Sequence, residues 1–268
     1  MGMSHKILVF IPMYNCAQQV ARVVGKFDDR AAAVIDKILV VDNGSTDGGL
    51  PVAEKALSDV KGIKTELIQN DENVSLGGAH KVAFNYMQAN GYDYMIVLHG
   101  DDQGSILDIV PHLESKAYEV TDAFLGARFM PGSSLQGYSA LRIFLNRCCN
   151  LVCSIVGLRR IYDIGSGLNM YSREFLSSKF YLSFPNNMNF NVYLLFYKVY
   201  TKAAFKYFPI TWREDDQISN ANLVKQGIEI LKILFLFRFL PKSLYGKVDN
   251  DVSKMPYSST TLYRSKDD

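Results

Sequence analysis

Residues 99–104, His-Gly-Asp-Asp-Gln-Gly, follow directly on an apolar run from Met95 to Leu98. Carboxylate and amide oxygens at a strand end suit a hard divalent cation, which takes oxygen ligands and keeps positions open for substrate phosphates. If the backbone stays extended, His99, Asp101 and Gln103 point the same way and can converge on one ion. The alternative is a turn in which Asp102 or Ser105 caps a helix starting near Ile106. A second cluster, DNGSTDGG at 42–49, has the same double character. Asp42 can accept hydrogen bonds from a nucleobase edge, whereas Thr46 or Asp47 can cap a helix ahead of Pro51. In SLGGAHKVAF, at 75–84, Gly77 and Gly78 open a helix where backbone N–H groups can meet an anion. G-x-G-x-x-G and G-K-[ST] are both absent from that stretch, so taken alone it reads better as a plain helix start.

Elements must hold these clusters. KILVFI (6–11), DKILVV (36–41), TELIQ (65–69), YMIVL (94–98) and DAFLGA (122–127) read as strands. Helical patterns near 17–27, 51–60, 78–90 and 105–119 lie between them. This alternation predicts an α/β fold, a Rossmann-like, mostly parallel sheet covered by helices. Ligands of such sheets bind at the carboxyl ends of the strands, where PMYN (12–15), DNGSTDGG and HGDDQG all fall. Farther on come a Gly/Ser loop (131–139), a helix (140–157), the stretch DIGSGLNMYS (163–172), a strand (204–212) and a helix (220–240). The polar chain after Pro241 is expected to lack order. No internal repeat and no linker divides the chain.

With 268 residues, 48% hydrophobic, the chain can bury one sizeable core, and a net charge of +2 argues against a general nucleic-acid binder. Cys149 and Cys153, four apart in an apolar helix, read as buried thiols, and a reducing cytoplasm follows. The N-terminal residues enter a strand too early for a signal peptide. The apolar tracts 141–157 and 227–240 are broken by Arg142, Arg147, Lys232 and Arg238, and neither reaches the roughly 20 residues of a bilayer crossing.

In order and spacing, FIPMYN, VVDNGSTDGG, LHGDDQ and GARF resemble the inverting family 2 glycosyltransferases of GT-A fold. The nearest resemblance is to the branch containing dolichyl-phosphate mannose synthase and bacterial polyprenyl-phosphate glycosyltransferases, over roughly residues 6–220. It implies a GT-A domain at 1–220, an amphipathic helical segment at 221–245 and a polar tail at 246–268. By position it assigns Pro12, Tyr14 and Asn15 to a nucleotide-contacting loop and Asp42 to the base. Asp101 becomes the second acid of a metal motif, with Gln103 the glutamine that follows, and Mg2+ or Mn2+ the cofactor. Arg128 and Arg142 match arginines that hold an acceptor phosphate. Asp163, Ser166 and Gly167 match a D-x-x-S-G stretch, and Arg213 and Ser219 fall near the diphosphate. Two positions depart from the pattern: His99 stands where many members carry the first Asp, and Cys16 where many carry a Glu. An imidazole is a softer ligand than a carboxylate, which favours Mn2+ over Mg2+.

The implied reaction moves a sugar from a nucleotide-diphosphate sugar to a polyprenyl phosphate. A lipid phosphate is already an anion and needs cations to hold it, which Arg128 and Arg142 supply. A sugar hydroxyl, the rival acceptor in polysaccharide assembly, needs a carboxylate base, for which Asp102 and Asp163 are the candidates. A noncatalytic nucleotide-sugar-binding subunit is the reading of another class, and a nucleotidyltransferase lacks its Gly-rich loop. In 220–240, the polar stripe Lys225, Glu229 and Lys232 is surrounded by an unusually broad apolar surface. That surface suits a membrane interface, the domain itself or a second subunit. A peripheral position on the cytoplasmic face of a membrane is the expectation.

Overall fold

The computed structural model describes residues 5–215, 223–245 and 257–266, with the side chains of 223–225 excluded. Along the chain run β1 (Ile7–Met13), α1 (Ala17–Val24), α2 (Asp29–Ala32), β2 (Lys37–Asp42), α3 (Gly49–Asp59), β3 (Lys64–Asn70), α4 (Ser75–Ala89) and β4 (Tyr94–Leu98). There follow α5 (Val110–Glu114), β5 (Ala123–Ala127), β6 (Ser134–Gln136), α6 (Ala140–Gly157), β7 (Leu168–Ser172), α7 (Arg173–Leu176) and α8 (Phe190–Tyr200). The last are β8 (Phe205–Pro209), β9 (Thr211–Arg213), α9 (Leu223–Phe239), α10 (Pro241–Tyr245) and β10 (Ser259–Arg264).

Eight strands form one sheet in the order β10-β3-β2-β1-β4-β7-β5-β8. β3, β2, β1 and β4 are parallel, as are β5 and β8, whereas β7 runs antiparallel between β4 and β5. Successive β1 residues alternate between two cores. Leu8 and Phe10 face the side that holds Phe84 and Phe190, while Ile7, Val9 and Ile11 face Val20, Val23 and Leu57. The chain leaves β1 toward β2 on one side and returns as β4 on the other. That reversal opens a crevice at the carboxyl ends of β1 and β4.

Several sequence expectations change. The helix expected over 105–119 breaks into a 3-10 turn at Ile106–Asp108 and the short α5, with Ser105 Oγ accepting the Leu107 N–H at 3.3 Å. The strand expected over 204–212 divides between two sheets, β8 pairing β5 and β9 pairing β6. Proline ends β8, since Pro209 has no N–H to donate. Of the two thiols expected to be buried, Cys153 is, but Cys149 is only half-buried. The tail expected to lack order carries β10, antiparallel to β3. Its anchor is Glu66, which accepts hydrogen bonds from Arg264 Nη2 (2.7 Å), Thr261 Oγ1 (3.2 Å) and Tyr86 Oη (2.6 Å) and pairs with Lys37 at 2.7 Å.

α9 docks one face on the domain, burying Ile230, Ile233 and Leu234, and leaves Ile228, Leu231, Phe235 and Phe239 exposed. α6 buries Asn150, Cys153 and Gly157 and exposes Leu141, Phe144, Leu145, Leu151 and Ile155 along its other side. Among the described residues it is the one helix long and apolar enough to cross a membrane. Its 18 residues rise about 27 Å, somewhat less than a bilayer's hydrocarbon core.

Candidate active site

The crevice is closed at its base by Gly100. Its N–H donates to the Pro12 carbonyl at 3.2 Å, and a Cβ there would stand 2.9 Å from the same oxygen. Only glycine lets the loops after β1 and β4 approach so closely. On the β1 side, Tyr14 is 52% exposed, an aromatic face at the mouth of the crevice. Asn15 adopts a left-handed φ of 50°, which asparagine tolerates better than most residues. Its N–H donates to Ser45 Oγ at 3.0 Å and its Oδ1 accepts the Thr46 N–H at 2.8 Å, so the loops after β1 and β2 are one unit.

Asp42 is buried at the end of β2, accepting from the N–H groups of Gly44 (3.1 Å) and Ser45 (3.2 Å) and from Gln69 Nε2 (3.0 Å). Asp47 receives the N–H of Gly49 at 3.0 Å and that of Ala17 at 2.7 Å, holding the starts of α3 and α1. Sequence reasoning passed over Asn43, which is buried and accepts from Asn70 Nδ2 (3.1 Å) and the Val74 N–H (3.0 Å). Gly77, expected to offer an N–H to an anion, donates it instead to the Asn186 carbonyl at 2.5 Å. A Cβ at Gly77 would lie 2.6 Å from the Pro185 oxygen, so close packing explains this glycine.

The fan of His99, Asp101 and Gln103 loses its premise, because β4 ends at Leu98 and the chain turns, with Asp102 at φ 62°. His99 donates its N–H to the Gly167 carbonyl at 2.9 Å. Its ring packs so tightly on Gly167 that a Cβ there would sit 2.9 Å from Cγ. Burial, then the charge of Arg128, pushes the imidazole down to about 4, so it is neutral. Its Nε2 is buried with no hydrogen-bond partner among the described residues.

Asp101 and Asp102 differ sharply. Burial pushes the Asp101 carboxyl up to about 6, despite the Gln103 N–H donated to Oδ1 at 3.2 Å. Asp102 is more deeply buried. Burial acts to raise its pKa, but hydrogen bonds from Lys26 (2.5 Å) and Arg22 (2.8 Å) and an ion pair with Arg213 outweigh that, leaving it below the usual carboxylate range. Asp102 is therefore a cross-link among α1, the β4 loop and β9, and its oxygens are occupied. The guanidinium of Arg213, expected at a diphosphate, is engaged with Asp102 and with Asp215 at 3.2 Å.

β9 and the residue after it connect this loop to the two arginines. Arg213 donates its N–H to the Gln103 carbonyl at 2.9 Å. The guanidinium of Arg128 lies over the Trp212 ring, 4.9 Å from its centroid, and Arg142 pairs with Glu214. Arg128 is held by Asp163 through Nε (2.7 Å) and Nη2 (2.8 Å), and by its own N–H (2.9 Å). Asp163 also accepts the Gly165 N–H at 3.1 Å, so its oxygens, like those of Asp102, are engaged by donors of the chain itself. Arg142 lies over Tyr138 at 4.9 Å, and its buried Nε has no partner among the described residues. Ser166 donates to the Leu168 carbonyl at 3.1 Å, a role internal to the loop. Ser219 lies outside the described residues.

Asp101 fits a divalent cation in one respect that burial makes visible. A desolvated carboxylate raised toward neutrality is a group that a cation would stabilise. No group of three or more His, Cys, Asp or Glu side chains suited to a metal occurs among the described residues. The described residues thus offer the carboxylate of Asp101, and substrate phosphates and water would have to supply much of the remaining shell.

The architecture matches a known class. The model of glycosyl transferase family 2 matches residues 8–180, well over half the chain, and the chain belongs to that family. It is 28% identical over 178 residues to a polyprenol monophosphomannose synthase of Mycolicibacterium smegmatis, covering 65% of this chain and 64% of that one. It is 22% identical over 258 residues to a dolichyl-phosphate beta-glucosyltransferase of Trichomonas vaginalis, covering 91% of this chain and 75% of the relative. The match thus spans less than two thirds of the mycolicibacterial relative's length. The fold is shared with glucosyl-3-phosphoglycerate synthase of Mycobacterium tuberculosis, solved with Mn2+, uridine diphosphate and glucosyl-3-phosphoglycerate. That likeness has a TM-score of 0.59 and 17% identity, covering 97% of this chain and 89% of the other. The expected GT-A architecture is borne out.

Proposed function

We propose that this protein transfers a sugar from a nucleoside diphosphate sugar to a polyprenyl phosphate, with inversion at the anomeric carbon. The observation that carries the choice of acceptor is the state of the carboxylates. Asp102 and Asp163, the two candidate bases, are already paired, Asp102 with Arg22, Lys26 and Arg213 and Asp163 with Arg128, while Arg128 and Arg142 pack against Trp212 and Glu214 of the segment that borders the Asp101 loop. A phosphate acceptor needs cations and no base; a hydroxyl needs the reverse.

The residues divide the work accordingly. The β1 and β2 loops receive the nucleotide, with Asp42 at the base and Tyr14 offering a ring to stack on. Asp101 and the amide oxygen of Gln103 hold a divalent ion, Mg2+ or Mn2+. Such an ion supplies Lewis-acid neutralisation of the charge that grows on a departing diphosphate. Arg142 meets the acceptor phosphate, which competes with Glu214 for the guanidinium. Arg128 is fixed in orientation beside it by Asp163, which offsets part of the guanidinium charge.

The polyprenyl acceptor calls for a membrane, and the exposed apolar faces of α6 and α9 support peripheral attachment to the cytoplasmic leaflet. The test is transfer by purified protein from a panel of nucleoside diphosphate sugars to a detergent-dispersed polyprenyl phosphate, with Mg2+ or Mn2+. The reading predicts ion-dependent transfer whose kcat/KM falls about 10- to 100-fold in Arg142→Ala, the loss of one charged phosphate contact. Transfer to a sugar hydroxyl unaffected by Arg142→Ala would overturn it. So would nucleotide-sugar binding without turnover on any acceptor.

A further inference from the structure

α8 carries a cation into the core. Lys198, in the last turn of that helix, is 1% exposed. Its Nζ stands 4.9 Å from the centroid of the Tyr171 ring and 5.9 Å from that of Phe175. It has no hydrogen-bond acceptor and no carboxylate partner among the described residues. Burial pushes the ammonium down to about 7. Two ring faces offset little of what a cation loses on leaving water. Other buried lysines are provided for: Lys37 pairs with Glu66 at 2.7 Å, and Lys81 donates to the Leu182 carbonyl (3.1 Å), the Phe184 carbonyl (2.5 Å) and Asn186 Oδ1 (2.8 Å).

Lys198 lines a cavity of about 20 Å3 with Leu125, Asp163, Tyr171, Asn191 and Leu195, where α8 meets β7 and the turn after Asp163. Most polar groups on that wall are taken. Asp163 is held by Arg128 and accepts the Gly165 N–H, Ser166 Oγ donates to the Leu168 carbonyl, and Asn169 Nδ2 donates to the Ser166 carbonyl at 2.8 Å. Three groups are left. Besides Lys198 Nζ, the hydroxyl of Tyr171, a residue 3% exposed, and the buried Oδ1 of Asn191 have no hydrogen-bond partner among the described residues. Because Asp163 is matched by Arg128, the charge left over at the cavity is the ammonium's.

The volume admits a water or a monatomic ion. A water would answer the hydrogen bonds and leave the charge. A small anion accepts from Lys198 and Tyr171 and supplies the missing counter-charge as well. A half-turn of the Asn191 amide then presents Nδ2 as a third donor, in place of an oxygen that has nothing to accept. We propose that this cavity binds a monatomic anion of the halide class, held by Lys198, Tyr171 and Asn191, which fastens α8 to β7 behind the Asp163–Arg128 pair. The site is separate from the transfer reaction and stands whatever the acceptor.

The experiment is a series of thermal melts of the full chain in which chloride replaces gluconate, an anion too large to enter, at constant ionic strength. The proposal predicts a Tm that climbs by several degrees with chloride and then saturates, as binding to the folded state alone requires. Lys198→Met removes the charge while keeping a long side chain, and its Tm should not respond to chloride. Should that variant fail to fold, Tyr171→Phe deletes only the hydroxyl donor and should shift the chloride midpoint several-fold upward. Crystals of the wild-type protein soaked in bromide should show an anomalous scattering peak in the cavity. A wild-type Tm indifferent to chloride would overturn the proposal, and so would an equal rise in Lys198→Met or an unshifted midpoint in Tyr171→Phe. A cavity holding only water after the bromide soak would overturn it too.

Discussion

Asp101 and Asp102 are adjacent carboxylates in a desolvated loop, and their surroundings give them opposite roles. Asp102 is paired with Arg22, Lys26 and Arg213, so its carboxylate ties together the elements that carry them. Its replacement by Asn leaves three cations facing an uncharged amide, and stability should fall by about 3–5 kcal/mol, read as a lower Tm. Asp101→Asn removes a carboxylate that burial disfavours, so its Tm should equal or exceed that of wild type. A large drop in Tm for Asp101→Asn would mean that the carboxylate is structural. Glu214 gives a third expectation. Because it occupies Arg142, Glu214→Gln should lower the KM for a phosphate acceptor several-fold, and a raised KM would show that the pair positions the arginine rather than competing for it. The residue types at this site were legible from the strand ends, because ligand-binding carboxylates and turn caps both use Asp. Which Asp did which was not legible, since the cations that claim Asp102 come from α1 and β9, far apart in sequence.

At the scale of elements, the parallel half of the sheet was plain because β1 to β4 are apolar runs separated by helical periodicity. β7 was hidden: its five residues, LNMYS, carry two polar side chains and follow a Gly/Ser stretch that reads as a loop. β10 was hidden for a different reason. Its outer residues are polar and solvent-facing, and what fixes it is Glu66, more than 190 residues earlier, through Arg264 and Thr261. That anchor has a pH signature. Burial acts to raise the Glu66 carboxyl, but Arg264, Lys37 and Tyr86 outweigh it, so its folded pKa lies below the ordinary value. The group therefore contributes stability above the ordinary carboxylate range and loses it as pH falls through the lowered folded value. Thermal melts of wild type should decline on acidification, and Glu66→Gln should be less stable at neutral pH with a flatter acid limb. Parallel acid limbs for the two proteins would remove Glu66 from this role.

For the molecule as a whole, the apolar surface is divided in a way that composition could not reveal. The sequence pattern of 220–240 drew attention to α9, yet that helix spends one face on the domain, and α6 carries the larger exposed apolar stripe. The stripe on α6 escaped notice because periodicity shows that a helix has an apolar face without showing which way it turns. Both helices should act together at a lipid surface. Flotation with anionic vesicles should recover the wild-type protein, weakened by salt at the basic residues and strongly reduced in a Phe144→Ser, Phe235→Ser double variant. Undiminished flotation of that variant would show that the membrane meets another face.

The central claim, that Asp101 seats the cation against which a nucleotide diphosphate binds, is tested most directly by calorimetry. Uridine or guanosine diphosphate would be titrated into wild type and Asp101→Asn, each with Mn2+ and with a chelator. The account predicts that the ion tightens binding about tenfold or more in wild type and leaves Asp101→Asn unchanged. An equal ion-dependent gain in both proteins would contradict it.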